Sequence, residues 1–100
     1  MNAALHGPRV AIMTLTFQVY GCDTLRDKAR AFRAMRQVWG KEPDLAVAEV
    51  DGFEDLERAV WSIATVGATE AKLQQRLQAV EKEVVDRIDA PVLDTQFELT

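Results

Sequence analysis

The sequence predicts an α+β fold in the order strand–helix–strand–strand–helix–strand. Its four strands form one antiparallel sheet, and two helices pack on one face. Three observations predict this. Apolar residues alternate along Arg9–Val19 and again along Val92–Leu99. Two other segments repeat apolar residues every three or four positions, the helical period. Between them lie Leu45–Asp51 and Arg58–Gly67, both strand-like and joined by a short loop of hairpin type. A chain of 100 residues holds one domain, and an apolar fraction of 48% suffices to fill one core. Residues 9–100 are expected to form that domain, with Met1–Pro8 as a frayed tail.

The first strand, RVAIMTLTFQV, places Ala11, Met13, Leu15, Phe17 and Val19 on one continuous apolar side. A one-residue slip would exchange the two sides, so the pattern fixes which one is core. Tyr20–Asp23 is a turn. Thr24 and Asp27 then form a capping-box-like helix start, in which the hydroxyl accepts an orphan backbone N–H. The first helix is expected to run to about Trp39. Its buried stripe is Leu25, Ala29, Phe32, Met35 and Trp39, and Gly40 stands at the usual glycine position beyond a helix end.

Lys41–Asp44 links to the second strand, LAVAEVD, with Ala46, Ala48 and Val50 on one side and Leu45, Val47, Glu49 and Asp51 on the other. The third strand, RAVWSIATVG, is apolar throughout, as a central strand should be, and its two faces are not distinguished by pattern. Thr69 caps the second helix, with Glu70 favourably placed near its N-terminus. Leu73, Leu77, Val80, Val84 and Ile88 give that helix the clearest amphipathic period in the chain, and Ala90-Pro91 is its expected stop. In the last strand Leu93, Phe97 and Leu99, with Thr95 among them, are expected to face the core and Val92, Asp94, Gln96 and Glu98 to face away. Elements in this order make a ferredoxin-like βαββαβ sandwich. Right-handed crossovers put both helices on one side of the sheet and leave the other side open.

The net charge is −4, which does not suit a general nucleic-acid binder. The average hides a segregation. Leu25–Lys41 holds six basic residues and one acidic one, a net +5, which leaves −9 for the rest. Arg26, Arg30 and Arg33 fall within about 60° of one another on a helical wheel, with Lys28 and Arg36 flanking the buried stripe and reaching outward. Such a ridge matches phosphate spacing and points to structured RNA or a ribosomal particle as partner. The competing reading is a solvated helix face, and no aromatic within the stripe offers a base a surface to stack on.

The open sheet side supplies a second candidate surface: Val10, Ile12, Val47, Trp61 and Ile63, which would serve a homodimer or a protein–protein contact. The opposite facing of Trp61 and Ile63 would put both in the core. The third strand lacks the aromatic signature of an RNA-recognition sheet.

No enzyme is expected. Glu49 and Asp51 lie on one edge strand, Asp94 and Glu98 on the other, too far apart for a carboxylate pair. Cys22 is the only cysteine and His6 the only histidine, so neither a disulfide, nor a Cys/His pair, nor a zinc site can be assembled, and no cofactor is expected. No apolar run approaches the ~20 residues that span a bilayer, and no secretory signal precedes the first strand, so the expected location is the cytoplasm.

Two segments, TLRDKAR at Thr24–Arg30 and LAVAEVD at Leu45–Asp51, the latter followed by Arg58-Ala59 and an apolar strand, resemble the YlxP-like family of small bacterial proteins of unknown function. In that family the helix start reads Ser-Leu-Lys-Asp-Lys-Arg, and Ala29 stands here in place of its last basic residue. The family's His-Gln-Asp-Leu-Trp loop is replaced by Gly52-Phe53-Glu54-Asp55-Leu56. No role for that histidine or tryptophan transfers. The resemblance implies a ferredoxin-like fold, no established enzymatic activity, and an association with ribosomes or translation factors.

Overall fold

The structure is a computed structural model that describes residues 7–100. Met1–His6, with most of the expected N-terminal tail and the sole histidine, lie outside the described residues. The chain runs β1 (Arg9–Gln18), α1 (Leu25–Ala31), α2 (Arg33–Gln37), a 3₁₀ turn (Trp39–Lys41), β2 (Leu45–Asp51), β3 (Arg58–Gly67), α3 (Glu70–Arg87) and β4 (Val92–Leu99). All neighbouring strands are antiparallel, in the spatial order β2-β3-β1-β4. This is the ferredoxin-like α+β sandwich.

The alternation of β1 decides the two faces. Ala11, Met13, Leu15, Phe17 and Val19 are buried against the helices. Met13 pairs with Ile63 and Leu15 with Trp61, so those two β3 residues share the helix-covered side. The expectation that Trp61 and Ile63 line the open face is therefore corrected: both are buried core residues. Val47 is corrected for the same reason, since it pairs with Ile63. Of the five residues expected on the open side, Val10 and Ile12 are there, opposite Val66 and Ala64.

Helix α3 follows its sequence period. Thr69 Oγ1 accepts from the Lys72 N–H, and Leu73, Leu77, Val80, Val84 and Ile88 are buried. The helix ends at Arg87, ahead of the expected Ala90-Pro91, because Ile88 already has extended backbone geometry. The first helix is instead two short ones. Thr24 caps α1, as its hydroxyl accepts from the Asp27 N–H at 3.1 Å, but Phe32 breaks the ladder. The N–H of Met35 turns back three residues to the Phe32 carbonyl, a 3₁₀ bond that redirects the chain. Gly40 is not a left-handed cap. It lies inside the 3₁₀ turn, where the buried Trp39 donates its Nε1–H to Glu83 Oε1 at 2.9 Å and so ties this turn to α3.

Strand β4 shows why alternation alone misassigns its start. The register shifts between Thr16 and Phe17, and Val92, not Leu93, pairs with Phe17. The extra residue is Leu93, which is 60% exposed while Val92 packs against the core. Phe97 and Leu99 do lie on the helix side but remain partly exposed, because α3 packs over β1 and β3 and leaves this edge uncovered.

At the other edge Arg76 grips Asp44 through two bonds, Nε to Oδ2 at 2.7 Å and Nη2 to Oδ1 at 3.0 Å, joining the entrance of β2 to α3. That guanidinium holds the Asp44 carboxyl below its usual 3.8. A lowered carboxyl pKa stabilises the fold fully above the unfolded value, and this contribution fades as pH falls through the folded value. Thermal melts between pH 5 and 2 should therefore show a steeper loss of Tm below about pH 4 in the wild type than in Asp44→Asn. In the core, Leu77→Ala should cost about 2–5 kcal/mol in urea denaturation, since Leu77 is wholly buried.

Candidate functional site

The basic segment divides into an internal cation and an external ridge. Lys28 is only 4% exposed. Its ammonium donates to three backbone carbonyls of the β2–β3 connection: Gly52, Asp55 at 2.7 Å and Arg58 at 2.8 Å. The Glu49 carboxylate stands 3.7 Å away. The expectation that Lys28 contacts RNA phosphate is corrected, because all three of its protons are committed inside the fold. The buried stripe of the helical segment is in fact Lys28, Phe32, Met35 and Trp39, while Leu25 and Ala29 are exposed. Gly52 makes the arrangement possible. Its φ of +72° is unfavourable for L side chains, and a Cβ there would meet the Arg58 carbonyl oxygen at 2.9 Å. The Gly52 backbone thus lies closer to the Arg58 carbonyl than a residue with a side chain would allow.

The other predicted cations face outward. Arg26, Arg30, Arg33 and Arg36 are exposed, and none forms a salt bridge or hydrogen bond among the described residues. Arg26 and Arg30 stand on α1, Arg33 and Arg36 on α2. The guanidinium of Arg36 lies over the indole of Trp61, 5.2 Å from the ring centroid. Beneath it Phe32 stacks on Trp61 at 6.2 Å and meets Phe17 edge-on at 5.1 Å, so the platform under Arg36 is continuous with the core.

A cleft opens between this helical segment and the β2 edge. Two adjoining hollows of about 70 and 280 Å³ share Ala29, Phe32, Glu49 and Trp61 as walls. Phe53 closes one end, and Arg33 and Arg36 border the other. Glu49 and Trp61 are direct cross-strand partners and so present side chains to the same space. Sequence reading missed Phe53, which is 57% exposed beside the basic helix and supplies the aromatic surface absent from the stripe itself. A signal was present in the isolated aromatic of an otherwise acidic loop, but nothing local placed that loop against α1. The Asp51 carboxylate pairs with the Arg58 guanidinium at 3.1 Å, and among the described residues no group of acidic, cysteine or histidine side chains is arranged to hold a metal.

The family model for a protein of unknown function, DUF503, matches residues 10–97. The chain belongs to the DUF503 family. No curated protein matches it. Among solved structures, the DUF503 chain resembles the structural-genomics protein YJCS, at 9% identity and a TM-score of 0.54 over 89% of this chain and 96% of that one. At that identity the likeness speaks to the fold. A weaker likeness, TM-score 0.44 and 14% identity, covers 94% of this chain and 28% of an amidohydrolase/peptidase candidate from Burkholderia cenocepacia. Among the described residues no helix is long and apolar enough to cross a membrane.

The lysine tripod makes a direct prediction. Lys28→Met leaves three carbonyls and the half-buried Glu49 without their cation and should cost about 3–5 kcal/mol in chemical denaturation, whereas Arg30→Met should change stability by less than ~0.5 kcal/mol.

Proposed function

We propose that this is a non-enzymatic cytoplasmic domain of the YlxP-like kind that docks on structured RNA, ribosomal in particular, through Arg26, Arg30, Arg33 and Arg36. The observation that carries the reading is that four exposed arginines of one helical segment have no internal carboxylate partner on a chain of net charge −4. An unneutralised ridge on an anionic protein is a directional device: it attracts a polyanion to one face and repels it from the others. The TLRDKAR and LAVAEVD segments support placement among YlxP-like proteins and, with it, the ribosomal association.

Two pairs of hydrophobic residues on the open sheet side favour a second reading. Ile12 and the exposed Val50 line a shallow concavity of about 440 Å³, and Val10 lies opposite the exposed Val66 on the same side of the sheet, a surface suited to a second copy of the chain. Light scattering at high protein concentration tests it, and a strict monomer rejects it.

For the leading reading, four phosphate contacts predict a log–log salt slope of about −3 for RNA association. Reversing Arg26, Arg30 and Arg33 to Glu should abolish co-sedimentation with ribosomal particles at low salt while leaving the thermal melt within a few degrees of wild type. Undiminished association of the folded triple variant rejects the ridge.

A further inference from the structure

We infer that the cleft beside the ridge receives one guanine base, so that the domain reads a nucleobase as well as phosphate; this rests on the RNA reading above. The starting point is an acceptor left over. An ammonium has three protons, and Lys28 gives all three to carbonyls. Glu49 therefore feels the attraction of the lysine across 3.7 Å yet accepts no hydrogen bond among the described residues. Its side chain, 21% exposed, lines both hollows of the cleft.

Trp61 walls the same cleft, although its Nε1–H is buried without an acceptor and has no surface open to a ligand. Planar surfaces bound the same space: the Arg36 guanidinium over the indole, and Phe53 at the far end. The larger hollow, about 280 Å³, falls just under the ~300–1,000 Å³ of drug-sized sites, so it holds a single base.

Base chemistry then selects. A carboxylate seeks two adjacent N–H donors. On its Watson–Crick edge guanine offers N1–H beside the N2 amine; adenine, cytosine and uracil offer no such pair. Arg33 at the rim is placed for the phosphate attached to that base. Free guanine nucleotide shares this chemistry with a guanine in RNA.

Fluorescence anisotropy with an eight-nucleotide oligouridine carrying G, inosine or A at one central position tests the inference, alongside titrations with GMP and AMP. Wild type should bind the G oligomer at least about tenfold more tightly than the A oligomer, with inosine, which keeps N1–H but lacks the amine, in between. Glu49→Gln should flatten this order and leave the salt slope unchanged. Should that variant fail to fold, wild type titrated with the same oligomer carrying 1-methylguanine, which lacks the N1–H, should bind it no better than the A oligomer. Equal affinity of wild type for all three oligomers, with the steep salt dependence retained, overturns the guanine cleft and leaves the arginine ridge standing. No affinity for any oligomer or ribosomal particle overturns the RNA reading. In that case a preference for GMP over AMP supports the cleft with a free nucleotide as its ligand, and indifference between the two overturns it.

Discussion

Lys28 organises this fold around a charge that never reaches solvent. Burying an ammonium is expensive unless every proton finds an acceptor, and here three carbonyls of one loop and a nearby carboxylate meet that demand. The consequences spread outward. The β2–β3 connection is drawn onto α1, which fixes Phe53 at the cleft mouth. Glu49 is turned toward the helices rather than toward water. The cations that α1 and α2 leave to solvent are Arg26, Arg30, Arg33 and Arg36, whose planar guanidinium groups suit bidentate recognition of phosphate.

The helix break at Phe32 belongs to the same logic. The lysine tripod lies toward one end of the helical segment and the Trp39–Glu83 bond at the other. The 3₁₀ step at Phe32 redirects the chain between these two contacts, and both Phe32 and Arg36 pack against the Trp61 indole. The arginine ridge and the cleft are thus products of how the core is packed, and a surface substitution can alter either without disturbing the sheet.

Most of the architecture was legible in the sequence. The bounds of β2, β3 and β4, the caps at Thr24 and Thr69, and the buried stripe of α3 all follow from period and capping chemistry, which act within a few residues. What was not legible is what depends on pairing across the chain. The faces of β3 follow from its register with β1, and the Leu93 bulge from the register of β4. Lys28 read as a surface cation because its acceptors are loop carbonyls 24 to 30 residues away. The same distance hid the cleft, whose walls come from α1, α2, β2, β3 and the loop between the last two.

Amide chemical-shift mapping of the ¹⁵N-labelled domain titrated with RNA of ribosomal sequence addresses the account most directly, because it reports the contacted face without altering a residue. The account predicts perturbations concentrated in residues 26–37, Glu49 and Phe53, with the Lys28 amide little moved and the open side of β1 and β3 silent. Perturbations confined to the open sheet face, or none at ribosomal RNA concentrations well above those that saturate a weak basic ridge, would contradict it.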